Sequence, residues 1–423
     1  MYILGDIIIQ KLKERLNVRI RKKKEKGEVF TPPKLIEYLL NNLPNHLFRN
    51  PDLKWIDPSS GIGHIVIMIY SKLMDGLQEN ISCPKKRSKH IIENMLYMVE
   101  LDEENASQCI ALFKIIDSES KPNIKILDFF NFNKSIFGID KFDVIVGNPP
   151  YQTLIEGNTK TKQIWHNFIL NSLNILQTDG YLSYIIPNSW RNYCEGNYPC
   201  AKIFNKFQNL QLDKLTMLSY KKSRGYFPQV SISLDIVYIK NTESNGNITH
   251  IIDQDENVID MNLNKWKFIP SGSFTDFQNI ITNEGDRVKL LYSPGMYESR
   301  YDHISKVKDE TFKYPVCYSI TQKNKLKCLY SNIKKDMFGI PKVIWSNGVG
   351  TYPIKDPNGE YGLTQFCYGI VDKVDNLDTI IKCMNSDKFI ELMKYVKYTN
   401  NKYNYKIISL FKKDFYIYFI DEY

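Results

Sequence analysis

A chain of 423 residues is long enough for two or three domains, each with a core that needs no metal or disulfide staples. A formal net charge of +9 alongside 28 Tyr and 22 Phe disfavours an acidic solvating tail and suits a polyanion that also offers flat faces to stack on. The eight cysteines include no C-x-x-C pair and no nearby His spacing. They read neither as a zinc site nor as a disulfide framework and point to a reducing compartment. Met1 to Gln10 lacks the basic start of a signal peptide, and no run approaches the ~18 apolar residues of a membrane span. The expectation is therefore a soluble, cytoplasmic protein without metal.

Residues 7–26 predict a helix that becomes strongly basic, through Lys11, Lys13, Arg15, Arg19 and the run Arg21 to Lys24. Such a run is either a solvated face or a phosphate contact. Gly27 ends it. In Val29-Phe30-Thr31-Pro32-Pro33, Thr31 carries the signature of a helix start, a capping hydroxyl followed by proline. The helix it opens sets Leu35, Ile36, Leu39, Leu40 and Leu43 on one face.

Lys54 to Asp57 predicts a strand that ends in an acid. A turn containing Gly61 and Gly63 follows, and the apolar run Ile65 to Tyr70 predicts a helix packing back on the sheet. Glycines there let the backbone pass close to a ligand, as in the first turn of a nucleotide-binding α/β unit. Met95 to Glu100 and Ile124 to Asp128 predict two more strands with acidic ends. Phe142-Asp143-Val144-Ile145-Val146-Gly147 predicts a fourth, broken by Asn148-Pro149-Pro150-Tyr151. Any one of these polar ends is as readily a cap or a surface turn. Four strands ending alike at α/β spacing instead place Asp57, Glu100, Asp128 and Asn148 along one carboxyl edge, where open parallel sheets bind ligands.

Two consecutive prolines stop any strand and hold a stiff loop whose carbonyls are free to accept hydrogen bonds. An Asn oxygen and a fixed carbonyl together can take both protons of an exocyclic amino group, while the Tyr151 ring stacks on the base that carries it. The alternative is that Asn-Pro-Pro-Tyr is only a strand-terminating turn.

Further along, Gln163 to Leu176 predicts a helix, with strands over Gly180 to Asn188 and Lys214 to Leu218. Val230 to Lys240 alternates enough for an antiparallel edge strand. The polar stretch Asn241 to Asn247 marks a domain boundary. The remainder is β-leaning and interleaves lysine with aromatics, as at Lys394-Tyr395 and Lys397-Tyr398, which is either a solvated surface over a small core or a binding face. The expected organisation is a basic helix at 1–26, an α/β domain with a mostly parallel, Rossmann-like sheet at 27–240, and a β-rich α+β domain at 241–423.

In this order the motifs resemble those of the gamma-class N6-adenine DNA methyltransferases of bacterial restriction-modification systems and some large DNA viruses. The resemblance covers residues 27 to about 240. It implies S-adenosyl-L-methionine as cofactor, with Thr31, Asp57, Gly61, Gly63, Glu100, Asp128 and Phe129 at the cofactor, Glu100 on the ribose and Asp128 on the adenine. It also implies that Asn148, Pro149, Pro150 and Tyr151 are catalytic and that Tyr151 and Phe227 stack on a flipped-out adenine. Ser59-Ser60 departs from relatives that carry a small residue and then Cys or Gly, but still permits a tight turn. The resemblance further implies double-stranded DNA as partner, a target-recognition domain after residue 240, a monomer, and any cognate restriction endonuclease on a separate chain.

Two rivals share parts of this pattern. Glutamine methyltransferases of the release-factor type also carry Asn-Pro-Pro-Tyr, because a side-chain amide presents a similar planar NH2, but they are much shorter. A nucleic-acid-binding protein with an inactive methyltransferase fold would not need both the Asn148 to Tyr151 and the Asp57 to Gly63 motifs intact. A fused nuclease is not expected, since residues 1–26 are too few for one.

Overall fold

The computed structural model describes residues 30–420 apart from 156, 158–159, 195, 247, 293–294, 322–324, 348–351 and 400–401. The basic helix expected over 7–26, and Val29 of the Thr-Pro-Pro motif, lie outside the described residues. The chain divides into two units between Trp266 and Lys267.

In chain order, the first unit opens with α1 (Pro33–Asn41), β1 (Trp55–Asp57), α2 (His64–Gly76), α3 (Pro84–His90), β2 (Leu96–Glu100), α4 (Glu103–Ile116), β3 (Asn123–Ile126) and β4 (Phe142–Gly147). It continues with β5 (Gln152–Leu154), β6 (Thr161–Gln163), α5 (Trp165–Ile175), β7 (Leu176–Pro187), α6 (Pro199–Asn209), β8 (Leu210–Leu218), α7 (Tyr220–Tyr226), β9 (Leu234–Glu243), β10 (Thr249–Ile252) and β11 (Val258–Met261). Nine strands form one sheet in the order β11, β10, β8, β9, β7, β4, β1, β2, β3. From β7 to β3 every neighbouring pair is parallel, as the acid-ended strands predict. Val144, Ile145 and Val146 are fully buried, because a central parallel strand is covered on both faces and reads as a continuous apolar run. Helix α1 buries Leu35, Ile36, Leu39 and Leu40, the face its spacing predicts.

Four expectations are corrected. The sheet does not stop at residue 240: β9 runs to Glu243, and β10 and β11 extend the same sheet, so the boundary falls after Trp266. The polar stretch from Asn241 is a connection within a sheet, and turn chemistry looks the same in either setting. Strand β9 is not an edge, because it pairs antiparallel with both β7 and β8. Thr31 does not cap α1. The cap position is Pro32, with no side-chain cap hydrogen bond. Lastly, Cys194 and Cys200 form a disulfide with Cα atoms 6.5 Å apart, since the turn into α6 brings them together where spacing alone showed no framework.

The second unit is rich in short strands. It contains α8 (Phe274–Ile280), β12 (Lys289–Leu291), β13 (Ile304–Ser305), β14 (Tyr314–Ile320), β15 (Leu326–Ser331), β16 (Lys342–Ser346), β17 (Ile354–Asp356), β18 (Gly362–Leu363), β19 (Cys367–Val371), α9 (Leu377–Met384) and α10 (Asp387–Lys394). Its strands form two four-stranded sheets, β12, β19, β16, β17 and β13, β15, β14, β18. A buried ion pair between Lys342 and Asp356, 2.6 Å apart, joins the paired ends of β16 and β17. The Lys342 ammonium also donates to the Met337 and Ile340 carbonyls, which compensates its desolvation.

Candidate active site

Because β4, β1, β2 and β3 run the same way, their carboxyl ends share one edge. Asp57 and Glu100 are the last residues of β1 and β2. Asn148 is one residue beyond β4, and Asp128 is two beyond β3. The predicted row of polar groups is therefore present, with Asp128 on a short loop rather than on the strand itself.

The glycine turn is fastened to β2. The Ser60 amide donates to the Val99 carbonyl at 3.0 Å, and the Gly61 amide donates to Glu100 Oε2 at 2.7 Å. Glu100 Oε1 accepts from the Asp102 amide at 3.0 Å. Each carboxylate oxygen has two acceptor sites, so Glu100 holds the turn and keeps capacity for a ligand hydroxyl. Gly61 and Gly63 have φ of 53° and 90°, the left-handed region that a side chain disfavours. A Cβ on Gly63 would also stand 2.6 Å from Cys109 Sγ on α4, so glycine there is what lets the two helices approach.

Asp57 is 1% exposed. Its Oδ1 accepts from the Ser59 amide at 3.1 Å, while Oδ2 has no hydrogen-bond partner among the described residues. Burial pushes its carboxyl up to about 7, the Ser59 amide pulls it down, and the Glu100 charge pushes it up again. Beside it, a Cβ on Gly147 would lie 3.2 Å from Asp57 Oδ1. A buried carboxylate with one oxygen left without a partner among the described residues fits a cationic ligand, whose charge would offset that desolvation.

A raised carboxyl is favoured in its protonated form by the fold. Its contribution to stability is present below the ordinary value near 3.8 and is lost as pH rises through about 7. Asp57→Asn is neutral throughout. Without cofactor, it is expected to melt above the native protein at about pH 8.5, and by a clearly smaller margin at about pH 5, where only part of the window between the two values has been crossed. Thermal melts at both pH values check this, and a difference that does not change with pH would show that Asp57 ionises normally.

Asp128 Oδ1 accepts from the Phe130 amide at 2.9 Å, and Phe129 is buried and stacked on Phe168 at 5.4 Å. At the other end of the row, the Asn148 side chain is held at both ends. Its Nδ2 donates to Thr31 Oγ1 at 3.2 Å, and its Oδ1 accepts from the Tyr151 hydroxyl at 2.8 Å. Burial pushes the Tyr151 hydroxyl far above the ordinary phenol range, so it remains a donor. Pro149 is buried and Pro150 exposed.

Phe227 is placed elsewhere than expected. Its ring is 1% exposed, in a cluster with Leu35, Leu39, Ile185 and Leu234, and Tyr151 packs against that cluster. So buried, Phe227 presents no open face to a base in this structure and belongs to the cluster against which Tyr151 packs.

Two features escaped the sequence reading. Asn188, just after β7, is 2% exposed with an Oδ1 that has no partner among the described residues. In the same loop, Trp190 and Arg191 donate to Asp235 on β9, with Arg191 Nε 2.7 Å and Trp190 Nε1 2.8 Å from Oδ2. The proline-stopped strand before Asn188 was a signal for the first. Nothing local signals an ion pair 44 residues apart.

The parallel strands, the glycine turn bound to Glu100 and the Asn-Pro-Pro-Tyr loop on the same edge define the first unit as an α/β domain with its candidate ligand-binding groups along one carboxyl edge. Residues 72–220 match the family described as Eco57I restriction-modification methylase. The chain is 27% identical to a protein named "Uncharacterized adenine-specific methylase" in Mycoplasma pneumoniae, over 38% of this chain and 55% of that one. It is 24% identical to "Modification methylase CviBIII" of Paramecium bursaria Chlorella virus NC1A, over 54% of each. It thus spans about half the length of the curated relatives it matches. Among solved structures, the Type IIL restriction-modification enzyme MmeI in complex with DNA aligns over 95% of this chain and 66% of its own, at 11% identity and a TM-score of 0.49.

Proposed function

We propose that this protein transfers a methyl group from S-adenosylmethionine to N6 of an adenine rotated out of duplex DNA. The observation that carries the reading is the Asn148 amide, set at the end of β4 with its oxygen beside the Tyr151 hydroxyl, on the edge that also bears Asp57 and Glu100. When bound, the cofactor supplies a methyl group activated by a sulfonium. Asp57, the Gly61 to Gly63 turn, Glu100, Asp128 and Phe129 would hold it.

The chain's own residues act on the base. Rotating an adenine out of the stack costs a few kcal/mol, and stacking on Tyr151 offsets about 1–3 kcal/mol of that. The adenine amino nitrogen is a poor nucleophile because its lone pair is delocalised into the ring. Asn148 Oδ1 and the Pro149 carbonyl accept its two protons, which pulls the nitrogen toward tetrahedral geometry and aims its lone pair. In this reading the second unit, Lys267–Tyr423, selects the DNA sequence, and the protein works in the compartment that holds that DNA.

The test is to express the protein in a methylase-free bacterial host and map N6-methyladenine by position in its DNA. Modification concentrated at one short sequence is expected. Unmodified DNA, together with methyl transfer to a glutamine of a host protein, would replace this reading with the protein-methyltransferase one.

A further inference from the structure

We infer that Thr31 is a positioning residue that holds the Asn148 amide in place for the substrate, an inference that rests on the proposed reading. The Asn148 side chain turns about two torsions, and its oxygen serves the substrate only in the position that points it at the base. With Oδ1 toward the base, it accepts a proton from the adenine amino group. Turned away, it offers no acceptor there, and the nucleophile is neither held nor aimed.

Three observations give the task to Thr31. Its hydroxyl is the one expected to cap α1, yet α1 is capped at Pro32 without a side-chain bond. The hydroxyl is spent on Asn148 instead, accepting from Nδ2 at 3.2 Å across 117 residues of sequence. Thr31 is 5% exposed, so little water can substitute for it, and Pro32 and Pro33 stiffen the chain that carries it. The other holder of the amide, Tyr151, binds Oδ1, the atom that an incoming amino group must use. The incoming amino group must share that oxygen with Tyr151 but makes no claim on the nitrogen, so the Thr31 contact is undisturbed as the base arrives.

A cofactor contact, the role the motif order implies for Thr31, and an orienting role differ in what substitution changes. The experiment compares the native protein, Thr31→Val and Thr31→Ser, using a duplex that carries the sequence found by methylation mapping. Single-turnover transfer rates are measured together with dissociation constants for S-adenosylmethionine and for the duplex. Thr31→Val, which keeps the shape and removes the hydroxyl, is expected to slow transfer by about tenfold to a hundredfold, with both dissociation constants within about twofold. Thr31→Ser is expected to restore most of the rate. Transfer by Thr31→Val at the native rate overturns the inference, and so does a loss matched by weaker cofactor binding. If Thr31→Val does not fold, Thr31→Ser and Thr31→Ala make the same comparison, and equal rates for those two overturn it. An active native protein with an indifferent Thr31 rejects this inference alone. A native protein that transfers nothing to DNA rejects the proposed function and this with it.

Discussion

Asn148→Ala is expected to lower methyl transfer by at least about a hundredfold, the loss typical of removing one hydrogen-bond partner that acts in the transition state. Cofactor binding is expected to stay within a few fold, because Asp57, Glu100 and the glycine turn belong to β1, β2 and the loop after β1, whereas the Asn148 side chain is held by Thr31 and Tyr151. The variant keeps the strand and the two prolines, so the loop retains its path. It loses the acceptor for one amino proton and the partner of both Thr31 and Tyr151. Calorimetric titration with S-adenosylmethionine, run beside a single-turnover assay, separates the two quantities. Turnover above about a tenth of native would remove Asn148 from the chemistry, whereas a parallel collapse of cofactor affinity would make it part of the cofactor site.

The second large effect is on stability. Asp235 is fully buried and accepts from Arg191 through both oxygens, Nε to Oδ2 at 2.7 Å and Nη2 to Oδ1 at 3.2 Å, and from Trp190. Burial holds its carboxyl above the ordinary value, although the Arg191 charge pulls the other way. Desolvation thus outweighs attraction, as is common for interior ion pairs. Removing the carboxylate alone leaves the Arg191 guanidinium buried without its counter-charge. Asp235→Ala is therefore expected to cost about 3–5 kcal/mol, and replacing both partners, as Arg191→Met with Asp235→Leu, much less. Chemical denaturation of the three proteins checks this. If the double replacement is as unstable as the single one, the cost lies in packing rather than in the stranded charge. The consequence reaches the site, because this pair ties the loop after β7 to β9 at the edge where Asn148 sits, and β7 is the parallel neighbour of β4.

Strand and loop chemistry were legible in the sequence wherever the physics is local. A β-branched run such as Val144 to Val146 has few alternatives to a covered strand. Two prolines after Asn148 must end it, and glycines at 61 and 63 mark backbone that no other residue adopts easily. These local rules placed Asp57, Glu100, Asp128 and Asn148 on one edge, since parallel strands that end alike have nowhere else to put them. The sequence by itself therefore determined the sheet that carries the site and the row of groups along it.

What only the tertiary structure decided depends on groups distant in the chain. Turn chemistry after Glu243 reads the same between two strands of one sheet as between two domains, so pairing of β10 with β8 was needed to move the boundary to Trp266. An exposed or a buried face for Phe227 depends on whether Leu35, Ile185 and Leu234 converge on it. The same holds for Thr31. Local rules make its hydroxyl a helix cap, and only the packing of α1 against β7, the parallel neighbour of β4, gives that hydroxyl a stronger claim, the amide of Asn148.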